Sequence, residues 1–223
     1  MTTEVKPPSG KLPILYSFRR CPYAMRARLA LLARGIQCEL REVVLRNKPA
    51  EFLATSPKAT VPVLVTTQGE VIEQSWDIML WALHQHDPAH WLPSDANVFE
   101  RGMQLLHSCD GEFKQQLARY KYPKQHGLED GTAARDEAKF FLANLESLLT
   151  QQHNLFNSNI GIFDAAILPF VRQFAHVNID WFAAQPLPSV QAWLSAFENS
   201  TVFKRAMTVY PAWADNAPTT VFP

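Results

Sequence analysis

Three short stretches carry side chains that could do chemistry. The first is Arg20-Cys21-Pro22-Tyr23-Ala24. A cysteine just before a helix lies near unpaired backbone N–H groups and the positive end of the helix dipole, and both favour thiolate. Arg19, Arg20 and Arg26 add positive charge nearby. A free thiol titrates near ~8.5, and such surroundings can lower that to about 7.5 or far below. The stretch predicts a thiolate populated at neutral pH and able to attack disulfides. The competing reading is a buried, inert cysteine. The second stretch is Thr60-Val61-Pro62-Val63. Proline inside a strand is disfavoured, so Pro62 fits an edge strand or a cis bond. A cis bond would leave the N–H and C=O of Val61 free to pair with an extended peptide. The third is Gln74-Ser75 at a strand-to-helix junction. The hydroxyl and amide N–H of Ser75 at a helix N-terminus suit a carboxylate. A plain N-cap is the competing reading.

These stretches need elements to hold them. Leu12 to Phe18 is an apolar run of strand length. Pro22 opens a helical pattern with Met25, Leu29 and Leu32 on one face, and Gly35 stops it. Gln37 to Leu45 reads as a second strand. Strand, helix and strand at this spacing make a βαβ unit with a right-handed crossover. A short helical piece follows Pro49. Val61 to Val65 and Val71 to Gln74, joined across Gln68-Gly69, then read as a hairpin. Ser75 starts a helix with Ile78, Met79, Ala82 and Leu83 on its apolar face. The expectation is a four-stranded mixed sheet over about 12–86 with helices on both faces and a cis Val61–Pro62 bond. Only helical patterns follow, including Leu106 to Tyr120, Ala138 to Leu148, Gly161 to Val177 and Pro188 to Phe197. The chain thus divides into an α/β domain over 1–87, a linker over 88–95 and an all-α domain over 96–223.

Composition narrows the class. Lysine plus arginine is 21 and aspartate plus glutamate is 21, so the balanced charge argues against a nucleic-acid partner. No apolar run approaches the ~18 residues of a membrane span. The N-terminus has an acid and two prolines where a signal peptide would be apolar. Three cysteines are too few for a disulfide scaffold and fit a reducing compartment, so the expected location is the cytoplasm.

Taken together, Cys21, Pro62 and Ser75 at this spacing resemble the glutathione transferase superfamily. Cys21-Pro22-Tyr23-Ala24 followed by Met-Arg-Ala-Arg, with Arg46-Asn-Lys-Pro49 downstream, looks most like the omega class and its bacterial relatives. The resemblance implies a thioredoxin-like N-terminal domain and a helical C-terminal domain. It implies glutathione as co-substrate and Cys21 as the catalytic thiol. Tyr23 would offer backbone contact to glutathione, and Lys48 would meet its glycine carboxylate. Val61, next to Pro62, would pair with the cysteinyl backbone, while Gln74 and Ser75 would hold the γ-glutamyl end. A homodimer and a small electrophile or mixed disulfide as second substrate are also implied. Three positions depart from the pattern. Many members carry glutamate where Gln74 stands, which leaves the γ-glutamyl amine held more weakly or reached by Glu73. Gly161 stands where Ser or Thr usually precedes the buried Asp164, so that capping box is incomplete. Ala24 replaces the second cysteine of a Cys-x-x-Cys motif, so a dithiol mechanism within this site is excluded.

The expected activity is thiol–disulfide exchange through a Cys21–glutathione mixed disulfide. One alternative is a conjugating transferase, in which Tyr16 or Ser17 would activate glutathione toward an electrophile. Another is a non-catalytic partner-binding protein on the same fold, as the stringent starvation proteins are. Tyr16 reads first as a core-edge residue. Tyr120 and Tyr122, at a helix end, either line a second-substrate pocket or pack structurally. His84 and His86 share one helix but not one face, so no metal is expected. Cys38 and Cys109 read as core.

Overall fold

The computed structural model describes residues 12–85, 87–214 and 217–222. These form two compact units, one bounded by Met1–Pro88 and Arg205–Pro223, the other by Ala89–Lys204.

In the first unit, β1 (Ile14–Ser17) leads through α1 (Pro22–Arg34) to β2 (Cys38–Glu42), which lies parallel to β1. Pro22 takes the first helical turn, where its missing N–H is no loss. Gly35 closes α1 at φ 72°, and the next amide, of Ile36, donates to Leu31 O at 2.9 Å. Then come α2 (Ala50–Thr55), β3 (Val63–Val65), β4 (Val71–Ile72) and α3 (Ser75–Gln85). Both β1–β3 and β3–β4 are antiparallel. Consecutive strand residues such as Leu15 and Tyr16 in β1 and Val63 and Leu64 in β3 are buried, so both faces of the sheet are covered there. Helix α1 packs against α3, with Leu29 and Ile78 fully buried. The expected one-faced α1 is instead buried all round from Ala24 to Leu32, Arg26 and Arg28 included.

Two expectations are corrected here. The sheet has five strands, in the order β4-β3-β1-β2-β5, and the chain is not helical to its end. The stretch from Arg205 onward belongs with the α/β unit, where β5 (Val221–Phe222) pairs antiparallel with Cys38 and Glu39. Leu40 N–H donates to Thr220 O at 2.7 Å, and Trp213 N–H to Glu42 O at 2.9 Å. The tail thereby satisfies the outer edge of β2, which would otherwise stand open. Phe222 is fully buried, which anchors the pairing.

The second unit is helical: α4 (Ala96–Ser108), α5 (Lys114–Lys121), α6 (Thr132–Leu149), α7 (Ile162–Ala175), α8 (Ile179–Ala183) and α9 (Pro188–Asn199); α10 (Thr201–Ala206) crosses the boundary between the units. A π-helical turn, Cys109–Phe113, joins α4 to α5 and carries Phe113, whose ring stacks on Phe141 at 4.6 Å. Trp91, within the expected linker, is buried, and its carbonyl accepts from Ile162 N–H at 3.0 Å. Asp164 is buried in the first turn of α7 and accepts from the N–H groups of Leu155 and Gly161 and from Trp193 Nε1, each at 2.9 Å. Only this half of the capping box forms, since Gly161 has no side chain to return the bond. No helix among the described residues is long and apolar enough to cross a membrane.

Candidate functional site

Cys21 occupies the N-cap position of α1, in extended conformation at φ −80° and ψ 122°. A tight turn places it there, closed by Cys21 N–H donating to Phe18 O at 2.9 Å. Its Sγ lies 3.8 Å from Val61 O. The Val61–Pro62 bond is cis. Cys21 also packs on a buried cluster that includes Tyr16, Ala24, Phe52 and Val61.

Electrostatics around the thiol depart from the expectation. Burial pushes the Cys21 thiol above its ordinary range; the amides of Ala24 and Tyr23 and the charge of Arg26 pull the other way without winning. The arginines counted in the sequence do not all help: Arg20 is exposed and lies over the Phe18 ring. Desolvation penalises the thiolate more than one helix end and one guanidinium favour it. In the ligand-free protein the neutral thiol therefore dominates at pH 7. Alkylation of Cys21 by iodoacetamide should rise about tenfold per pH unit through neutrality, with its midpoint above the ordinary ~8.5. A plateau reached below pH 7.5, mapped to Cys21 by peptide mass, would contradict this.

The two hydroxyls near the end of β1 are engaged. Tyr16 is buried, donates to Glu51 Oε1 at 3.3 Å and accepts from Arg41 Nη1 at 2.7 Å. Burial holds its phenol above the ordinary range. Arg41 itself lies over the rings of Tyr16 and Trp213, at 5.2 and 4.4 Å. Ser17 is fully buried and accepts from Arg28 Nε at 2.9 Å.

Among the other predicted residues, Tyr23 is half-buried under the Arg26 guanidinium, 5.2 Å from its ring centroid. Lys48 is half-buried in the loop before α2, and its ammonium has no ion-pair partner among the described residues. Ser75 is buried at the first position of α3, one residue inside the expected cap, because Ile78 N–H already bonds to Gln74 O at 3.0 Å. Its hydroxyl has no partner among the described residues. Gln74 is exposed and faces a groove of about 580 Å³ whose walls include Glu70, Asp77 and His84 but neither Cys21 nor Ser75. Glu73 is held by Ser56 Oγ at 2.6 Å and Lys58 Nζ at 3.0 Å, which lower its carboxyl. Tyr120 and Tyr122 belong to the second unit. Tyr120 packs on Phe174 with ring centroids 5.2 Å apart, and Tyr122 is exposed. His84 lies in the last turn of α3, while His86 lies outside the described residues.

Comparison with known proteins decides the family. The family description "Glutathione S-transferase, N-terminal domain" matches residues 15–90. A glutathione S-transferase omega-2 from Rattus norvegicus is 41% identical over 197 residues, which span 86% of this chain and 76% of that protein. The chain belongs to the glutathione S-transferase family. A glutathione S-transferase omega-1 from Sus scrofa is 25% identical over 192 residues, 85% of this chain and 77% of the relative. Among solved structures, a glutathione S-transferase from Methylobacillus flagellatus with GSH bound shares the fold at a TM-score of 0.74 and 19% identity. That match covers 88% of this chain and all of the other. The five-stranded α/β unit and the helical unit are thus this transferase family's fold.

Sequence reasoning missed Arg41, Glu51 and Trp213, which surround Tyr16, and the Arg28–Glu42 pair beneath the Cys21 turn. The alternation of apolar and charged residues in Cys38-Glu39-Leu40-Arg41, which puts Arg41 on one face of the strand, was the available signal for Arg41.

Proposed function

We propose that this chain is a glutathione-dependent thiol transferase whose reacting group is Cys21. The observation that carries the reading is a contrast within one site. The Cys21 sulfur stands at the start of α1, 3.8 Å from Val61 O, while the hydroxyls of Tyr16 and Ser17 are tied to neighbouring side chains. A conjugating mechanism would need one of those hydroxyls to activate glutathione. The omega-type relatives and the neighbour with GSH bound support glutathione as the co-substrate.

In this reading the cysteinyl backbone of glutathione pairs with Val61 beside Pro62, within reach of Tyr23. Its γ-glutamyl carboxylate meets the free hydroxyl and amide of Ser75 at the start of α3, with Gln74 alongside. The glycine carboxylate meets Lys48. Cys21 thiolate attacks the glutathione sulfur of a mixed disulfide; the S–S bond breaks, and the substrate sulfur leaves as thiolate and takes a proton from water. A second glutathione thiolate then attacks Cys21–S–SG, releasing oxidised glutathione and restoring Cys21. The adduct waits for that second glutathione because position 24 is alanine and the fully buried Cys38 thiol is pushed up to about 12. The raised Cys21 thiol lowers the thiolate fraction but makes each thiolate a stronger nucleophile, which offsets part of the loss. A small mixed disulfide, dehydroascorbate or a glutathionyl-quinone fits this chemistry as second substrate. The enzyme would work as a cytoplasmic homodimer without metal.

Parallel assays test the reading. A glutathione mixed disulfide should be turned over well above background, and a chlorodinitrobenzene-type electrophile only feebly. The reverse order would make the protein a conjugating enzyme, and no turnover of either would favour a partner-binding role.

A further inference from the structure

The turn that carries Cys21 is held from beneath by a carboxylate that the exchange chemistry does not use. Glu42 ends β2, and its Oε1 accepts from the Arg19 amide at 2.6 Å. Its other oxygen pairs with Arg28 Nη2. Arg28, on α1 and fully buried, also donates Nε to Ser17 Oγ at 2.9 Å and Nη1 to Ala206 O at 3.1 Å. One guanidinium therefore joins the end of β1, the end of β2 and the start of the returning tail. The free rotation of Glu42 is removed by that pairing, and its remaining oxygen is aimed at a single peptide N–H. That N–H lies inside the Phe18–Cys21 turn.

We propose that Glu42 is a positioning residue for Cys21. Its carboxylate, oriented by Arg28, pins the Arg19 peptide and so sets the turn that aims the sulfur at Val61 and the first amides of α1. The inference rests on Cys21 being the reacting group. A buried ion pair is weak evidence of stabilisation, because desolvation offsets much of its attraction. Reach to one backbone amide is a different requirement, and displacement of a reacting atom by about 1 Å can cost on the order of 100-fold in rate.

Two single substitutions separate reach from charge. Glu42→Gln keeps the length and the acceptor for Arg19 N–H but leaves Arg28 without a counter-charge. Glu42→Asp keeps the charge but is shorter by about 1.5 Å, one carbon–carbon bond. Stability, followed by thermal unfolding, should fall in the order wild type, Asp, Gln. Reactivity, read as iodoacetamide alkylation of Cys21 at pH 7 with no glutathione present, should run the other way for the two variants. Glu42→Gln should stay within about threefold of wild type and Glu42→Asp should be at least about tenfold slower. Reactivity that follows stability would make Glu42 a merely structural residue and overturn the proposal. So would a faster Gln variant beside an unchanged Asp variant, since charge alone would then be acting on the sulfur. If Glu42→Gln does not fold, Glu42→Asp decides alone: alkylation at least about tenfold slower than wild type is expected, and an unchanged rate overturns the proposal. The readout is the cysteine itself, so it stands even if the protein proves to transfer no thiol; that failure would appear in the parallel assays instead.

Discussion

Cys21→Ser is expected to remove thiol transfer by roughly 10³-fold or more, the scale seen when a nucleophile is lost, while leaving glutathione binding and the fold in place. Serine fills nearly the same volume at the N-cap of α1 and is a good capping residue there. Its hydroxyl ionises far too weakly to attack a disulfide at any working pH. The groups proposed to bind glutathione, Val61, Ser75 and Lys48, are untouched by the change. Conjugating activity in the variant should stay low, because Tyr16 and Ser17 remain tied to Arg41, Glu51 and Arg28. A calorimetric titration with glutathione and an assay with a mixed disulfide check the two halves separately. Retained transfer would remove Cys21 from the mechanism.

Asp164→Ala is expected to destabilise the protein by about 3 kcal/mol or more, since a buried donor left unsatisfied costs roughly 1–3 kcal/mol. Three donors lose their acceptor at once: the amides of Leu155 and Gly161 and the indole N–H of Trp193. They come from two loop positions and from α9, so the loss loosens the start of α7 and its packing together. Thermal or denaturant unfolding measures the effect, and a change within ±0.5 kcal/mol, typical of exposed sites, would show that the network contributes little. The pH dependence has a definite sign. Burial pushes the Asp164 carboxyl up to about 6, above its value in the unfolded chain. The folded protein therefore holds this proton more tightly, and the stability of wild type relative to Asp164→Asn should fall as pH rises from about 4 to about 6.

Local signals in the sequence reach far into this fold. Pro22, Gly35 and Pro188 mark helix ends by backbone constraints that act within a few residues, and α1 and α9 begin and end close to them. The same holds for Pro62: an isolated proline in a strand pattern has few explanations, and its bond is cis. What stayed hidden depends on partners distant in sequence. Strand β5 is two residues long, and only its pairing with Cys38 and Glu39 makes it a strand. Arg28 is buried among Ser17, Glu42 and Ala206, partners that are scattered along the chain and meet only in the fold. The Cys21 thiol shows the limit most clearly. Helix position and nearby arginines are legible in order along the chain, whereas desolvation by Tyr16, Phe52 and Val61 is a property of the packed cluster alone.

The most direct test of the account is the mass of the intact protein after incubation with oxidised glutathione. Exchange chemistry at a site without a resolving cysteine should leave a stable adduct about 305 Da heavier, glutathione less two hydrogens, carried by Cys21 and discharged by reduced glutathione. Cys21→Ser should show no such increment under the same conditions. An unmodified wild-type protein, or an adduct that maps to Cys38 or Cys109 instead, would contradict the assignment of Cys21 as the group that exchanges.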